Sequence, residues 1–212
     1  TCALPICNDG YLLQYFVEKN IPVLGIEPSA NVAEAARAKG VTTEIKFFGR
    51  KTAHHLAEAY GKADLLLGNN VLAHVPDIRD FVDGMKRLLA DGGIITMEFP
   101  HLLNLIDNNQ FDTIYHEHFS YLSLLTVQEI FAHFELKIFD VAELLTHGGS
   151  LRIYACHEQD EEKTLCKRVN ILIQRELEFG LASPDVYESF AERVYETKRD
   201  ILSFLIETRK SG

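Results

Sequence analysis

At 212 residues the chain is long enough to bury the core of one α/β domain with an appendage. Its formal net charge of −10, from 21 basic against 31 acidic residues, argues against a nucleic-acid face, which needs clustered positive charge. No apolar run has the length of a membrane span, no signal peptide is legible, and Cys2, Cys7, Cys156 and Cys166 are scattered rather than framed in pairs, so a cytoplasmic setting is expected.

Thr1–Cys7 is too short for a full strand before the Asn8-Asp9-Gly10 turn, and Pro5 would interrupt a central strand, so an incomplete or foreign N-terminus is expected there. Cys2 and Cys7 alone make a weak zinc pair. Leu12, Leu13, Phe16 and Val17 recur at helical spacing over Tyr11–Glu18. Ile21–Ile26 reads as a buried strand closed by Glu27-Pro28-Ser29; Ser29 should cap a helix over Ala30–Lys39 that Gly40 stops. Strands follow at Val41–Phe48 and Ala63–Gly68, separated by a helix over Lys51–Tyr60. Ile78–Ala90 is amphipathic, and Asp91-Gly92-Gly93 should turn into a strand over Ile94–Phe99. Thr126–Phe134 reads as helix, and Leu136–Glu143 and Ser150–His157 as strands joined through Thr146-His147-Gly148-Gly149.

Continuous apolar strands alternating with helices imply a mostly parallel sheet covered on both faces. The last two strands lack a crossover helix and should pair antiparallel. A parallel sheet ending in such a hairpin resembles class I S-adenosylmethionine (SAM) methyltransferases, with their Rossmann-like α/β sheet, more than NAD dehydrogenases. Beyond it, Glu161–Glu178 and Asp185–Lys210 are long, charged and helical. The expected division is residues 1–158 as the SAM-binding domain and 159–212 as the helical start of a further one.

Ligands of open α/β sheets lie at the carboxyl ends of the strands. Asn8, Asp9 and Gly10 occupy the first strand–helix turn, where glycine lets the backbone approach a ligand. Glu27, with Pro28 after it, ends the second strand seventeen residues beyond Gly10, near the offset of about 20 at which a carboxylate meets ribose hydroxyls. Phe47 and Phe48 at the third strand's end would flank an adenine, and Asn69 and Asn70 at the fourth offer amides to an amino-acid carboxylate and ammonium. Each feature alone is ordinary architecture; their joint placement favours an adenosyl site. The G-x-G-x-x-G fingerprint of dinucleotide binding is absent.

Tyr115, His116, Glu117 and His118 place a phenol, two imidazoles and a carboxylate in four consecutive residues, the groups that move protons near neutral pH. Phe111, Phe119 and Tyr121 would wall off water. A polar surface loop is the plain alternative. A metal reading through His116 and His118 lacks H-E-x-x-H spacing and a third ligand, so no metal is expected. If the segment is a helical turn, Tyr115 and His118 share a face; if extended, Tyr115 and Glu117 do. His74, in the loop before Pro76, either faces the cofactor's reactive end or merely caps. Arg152 either contacts a phosphate or sugar or pairs with a strand-end carboxylate.

The blocks Asn8-Asp9-Gly10-Tyr11-Leu12-Leu13, Leu24-Gly25-Ile26-Glu27-Pro28-Ser29-Ala30-Asn31-Val32-Ala33 and Asn69-Asn70-Val71-Leu72-Ala73-His74-Val75 resemble the SAM-dependent C-methyltransferases of deoxysugar biosynthesis. Phe111-Asp112-Thr113-Ile114-Tyr115-His116-Glu117-His118 and His147-Gly148-Gly149-Ser150-Leu151-Arg152 extend the likeness, which spans about Asn8 to Lys210. The resemblance implies a thymidine-diphosphate-linked 4-keto sugar as substrate, and a three-part protein with an N-terminal zinc domain and a C-terminal domain that helps hold the nucleotide sugar. It implies His118 as the base that removes the proton beside the ketone, with Glu117 orienting an imidazole or the substrate. Tyr115 is then the donor to the developing oxyanion, and His74 a second polar contact near the methyl. The rivals are a small-molecule O- or N-methyltransferase, a non-catalytic SAM-binding module and an NAD-dependent sugar dehydrogenase.

Overall fold

Strands that are apolar on both faces need cover on both sides, and seven of them form one sheet in the order β3-β2-β1-β4-β5-β7-β6 among the residues described. The computed structural model describes residues 2–4 and 7–211, with side chains from Cys7 onward. In chain order the elements are β1 (Cys2–Leu4), α1 (Gln14–Val17), β2 (Val23–Ile26), α2 (Ala30–Ala38), β3 (Thr43–Glu44), α3 (Arg50–Tyr60) and β4 (Ala63–Asn69). They continue with α4 (Ile78–Leu88), β5 (Leu89–Pro100), α5 (Leu102–Asp107), α6 (Leu124–His133), β6 (Leu136–Leu144), β7 (Ser150–His157), α7 (Lys167–Phe179) and α8 (Asp185–Ser211).

β1 through β5 pair in parallel, and β7 pairs antiparallel with both β5 and β6. The expected hairpin is therefore present, with its second strand inserted between β5 and the first. At the N-terminus, Cys2–Leu4 forms a three-residue central strand, with Ala3 opposite Leu24 on one side and Leu66 on the other. Three residues suffice because both neighbours supply the ladder. Thr1, Pro5 and Ile6, and with them the reading of Pro5 as a strand breaker, lie outside the described residues.

Two other strands differ in extent. β3 holds only Thr43–Glu44, because it is the sheet edge and the chain leaves it at once toward α3. β5 starts at Leu89, with Ala63 opposite Leu89 and Leu65 opposite Ile94, so Asp91-Gly92-Gly93 is a bulge within the strand. Gly92 supplies the positive φ of 74° that this bulge needs. The first predicted helix contracts to Gln14–Val17, while α5 had no counterpart in the sequence reading.

The core joins the helices on both faces through residues such as Ile26, Leu66, Met97, Phe99 and Ile153 from the sheet and Phe81, Met85 and Phe131 from α4 and α6. Asp77 caps α4 by accepting from the Arg79 and Asp80 amides at 3.1 and 3.0 Å. Ser29 holds the N-cap position of α2 without a capping bond, its hydroxyl donating instead to Asn31 Oδ1. Val169 and Leu172 of α7 enter the main core, so packing runs across the 158/159 division. α8 has no buried residue; Ile201, Leu202, Phe204, Leu205 and Ile206 are all exposed. No helix among the described residues is long and apolar enough to cross a membrane.

Candidate active site

The site is assembled where β1, β2, β4 and β5 end. Glu27 leaves β2 with only 5% of its surface exposed, and its two carboxylate oxygens accept from the Asn8 amide at 3.1 Å and the Ser29 amide at 2.9 Å. The carboxylate thus ties the first turn to the exit of β2. A carboxylate has about four acceptor positions, so lone pairs remain beyond these two bonds. Gly10, at φ +75°, is also closely packed: a Cβ there would stand 3.1 Å from Val41 Cγ2 and 3.2 Å from Ala36 Cβ. The glycine lets the turn approach α2. Asp9 is paired with Lys39 at 2.5 Å at the surface, and Pro28 is half-buried.

Phe47 and Phe48 part company. Phe47 is 80% exposed, whereas the Phe48 ring packs edge-on against Phe81, centroids 5.1 Å apart. With β3 ending at Glu44, neither sits at a strand terminus. Asn69 closes β4; Asn70, at φ +54°, donates its backbone amide to the Glu98 carbonyl at 2.8 Å. The Asn70 side-chain oxygen is buried without a partner, an acceptor held ready at the mouth of the sheet.

Beside Asn70 lies a cavity of about 260 Å³. Its walls include His74, Tyr115, Glu117, His118 and Tyr121. Local geometry explains the convergence. Pro76 keeps Val75 extended, so Leu72–His74 is one 3-10 turn after β4. The Ala73 carbonyl closing that turn accepts from the Phe119 and Ser120 amides at 2.8 and 3.3 Å, clamping the 111–121 segment onto it. The His118 amide in turn donates to the Tyr115 carbonyl at 3.2 Å. Of the two conformations left open by the spacing, the structure adopts the turn, and Tyr115 and His118 share a face.

The His118 ring is therefore enclosed by aromatic edges: His74 at 4.6 Å, Tyr115 at 5.3 Å and Tyr121 at 5.4 Å between centroids. Tyr121 also braces the loop, its hydroxyl accepting from the Tyr115 amide at 2.8 Å. Burial, with His74 close by, lowers the His118 pKa below the usual imidazole value, and the Glu117 charge partly opposes this. His118 Nδ1 is buried and unpartnered. The expected water-excluding wall is only partly built, since Phe119 is 64% exposed and Phe111 half-buried; Tyr121 alone of the three meets the imidazole. His116 does not line the cavity.

His74, Glu117 and His118 bring two imidazoles and a carboxylate within 4.8 Å of one another, a group that excludes the His116 of the metal reading. The cavity has a further wall in Pro100, Thr113 and His147, and His147 is the residue the sequence reading left without a role. Its signal was present in the two glycines that follow it at a strand end. Arg152 resolves toward a strand-end carboxylate, donating to Glu98 Oε2 at 2.6 Å.

Comparison with known proteins places the chain in a family. The family model described as "Methyltransferase domain" matches residues 7–141, and "C-methyltransferase C-terminal domain" matches 145–212. C-methyltransferase NovU of Streptomyces niveus is 34% identical over 207 residues, covering 96% of this chain and 49% of NovU. The chain thus spans about half the length of that relative. Among solved structures, a SAM-dependent methyltransferase of Thermotoga maritima, described as a possible histamine N-methyltransferase, superimposes with a TM-score of 0.56 at 16% identity, covering 74% of this chain and 81% of that one. Magnesium protoporphyrin IX methyltransferase of Synechocystis, solved with bound S-adenosylhomocysteine (SAH), gives 0.56 at 16% identity, covering 73% and 72%. The chain belongs to the methyltransferase-domain family and has the fold of the SAM-dependent methyltransferases.

Proposed function

We propose that this chain carries the catalytic centre of a SAM-dependent C-methyltransferase acting on a nucleotide-linked 4-keto deoxysugar. The observation that supports the reading most is a half-buried imidazole, His118, enclosed by His74, Tyr115 and Tyr121 and bordered by Glu117 at the carboxyl edge of the sheet. A methyl transfer to oxygen or nitrogen has less need of such a base; transfer to carbon needs the α-proton removed first. The relation to C-methyltransferase NovU points the same way.

SAM fits the residues present: Glu27 offers spare acceptor positions at the end of β2, and Asn70 Oδ1 is buried and unpartnered at the end of β4. Asn8, Asn69 and Asn70 are the groups assigned to its ribose and amino-acid ends. Bound, SAM supplies an electrophilic methyl. His118 acts as general base because its depressed pKa keeps the imidazole neutral at physiological pH. Glu117 keeps that basicity from falling too far, since its charge favours the imidazolium formed on proton uptake. The Tyr115 hydroxyl donates to the enolate oxygen, and His74 helps hold the imidazole's orientation through its edge contact. Orientation of the α-carbon between base and methyl contributes much of the rate.

The test is His118→Ala in the full-length protein, assayed with a thymidine-diphosphate-linked 4-keto sugar. Loss of about 10²- to 10⁴-fold in kcat with retained SAM affinity is expected. Wild-type turnover by that variant would remove the assignment.

A further inference from the structure

The β6–β7 connection is a constrained loop at the cavity. His147, Gly148 and Gly149 have consecutive positive φ values of 53°, 76° and 115°. Glycine adopts these freely, whereas a histidine in the left-handed region is strained. The strain is held from both sides. Gln110 Nε2 donates to the Gly148 carbonyl at 2.8 Å, and the His101 amide donates to the Gly149 carbonyl at 3.0 Å. Thr146 Oγ1 donates to Glu98 Oε1 at 3.1 Å, while Arg152 fixes the other oxygen of that buried carboxylate. Gly149 also lies close enough to Asn104 that a Cβ would fall 2.4 Å from its Nδ2. His147 lines the cavity and is exposed, and its imidazole makes no hydrogen bond or ion pair among the described residues.

Strain maintained by surrounding bonds, with a polar ring presented to a cavity, marks a ligand contact more readily than a structural one. We propose that His147 is a substrate-contacting residue. Its imidazole N–H donates to an oxygen of the bound sugar from the hairpin side of the cavity, holding the ring so that its α-hydrogen faces His118. This rests on the keto-sugar reading above. It adds that the hairpin after β6, as well as the 111–121 segment, selects the substrate.

The test uses the full-length protein, a thymidine-diphosphate-linked 4-keto sugar, and three variants: His147→Ala, His147→Asn and His147→Gly. Removing one donor to a bound oxygen should raise KM for the sugar by about 10- to 100-fold in His147→Ala, with SAM affinity within about two-fold of wild type. His147→Asn, which tolerates the left-handed conformation and keeps a donor, should recover part of that loss. His147→Gly should lose the sugar contact yet keep its Tm or gain about 2 °C as the strain is relieved. Unchanged KM in the Ala and Gly variants would overturn the inference while leaving His118 as the base. A Tm in His147→Gly lower by more than about 5 °C, with activity falling in parallel, would show a structural residue and overturn it as well. A wild-type protein that exchanges no α-proton of this substrate with solvent would defeat the keto-sugar reading and this inference together.

Discussion

Glu176 is the clearest place to test how the catalytic segment is held. Its carboxylate is fully buried on α7 and accepts from the Leu124 and Leu125 amides at 2.7 and 2.8 Å, the unsatisfied N-terminus of α6. The same carboxylate lies 2.7 Å from His101 Nε2. His101 begins the segment that returns at Leu122, to which it is bridged, with the Leu102 amide donating to the Leu122 carbonyl at 3.0 Å. One side chain thus ties both ends of the 101–122 segment to a helix from the C-terminal part of the chain. Glu176→Ala removes the acceptor of the Leu124 and Leu125 amides and the partner of His101 Nε2, and opens a void. Leaving these donors without an acceptor and opening a void beside them costs about 3–5 kcal/mol, which is much of a typical domain's stability of about 5–15 kcal/mol. At about 2–4 °C per kcal/mol for a chain of this size, Tm should fall by about 10 °C or more, read by circular dichroism with a matching fall in urea midpoint. Glu176→Gln keeps the shape and one carbonyl oxygen but turns an amide donor toward backbone N–H groups. It should cost about 1–3 kcal/mol and, where folded, lower kcat more than SAM affinity. A Glu176→Ala protein with Tm within about 2 °C of wild type would refute the reasoning.

The remaining expectations concern the site and its turn. Because burial and His74 lower the His118 pKa, the neutral base persists below the usual imidazole value of about 6.5, so the acid limb of kcat/KM should lie below that pH. Glu117→Gln removes the opposing charge and should move that limb further down, whereas His74→Asn should move it up; shifts in the reverse directions would contradict the assigned causes. Gly25→Ala should be strongly destabilising, by about 1–3 kcal/mol or more, since its Cβ would fall 2.5 Å from Cys7 Sγ; a denaturation midpoint equal to wild type would refute the close packing. The Cys7 thiol, pushed up to about 11 by burial, should resist alkylation in the native protein, and rapid labelling would show that the first turn opens.

Much of the fold was legible because parallel strands buried on both faces read as unbroken apolar runs. The hairpin was visible for the opposite reason, the lack of a crossover between Leu136–Glu143 and Ser150–His157. What was not legible depends on partners remote in sequence. Cys2–Leu4 is a strand because β2 and β4 flank it, not because of its own length. Phe48 looked free to stack on an adenine because nothing in its local pattern reveals Phe81. In the site, residue types were readable while their grouping was not. The Ala73 carbonyl that brings His74 to His118 is a backbone contact, and no spacing rule records it. Nor does the pattern show that Gly10 packs against Ala36 and Val41.

The most direct measurement is hydrogen exchange at the sugar carbon beside the ketone. The full-length protein is incubated in deuterated buffer with a thymidine-diphosphate-linked 4-keto sugar and SAH, and the sugar is weighed by mass spectrometry. Wild type should introduce one deuterium beyond the uncatalysed rate and His118→Ala should introduce none. Exchange at the wild-type rate in His118→Ala, or methylation of oxygen by wild type with no exchange, would contradict the account.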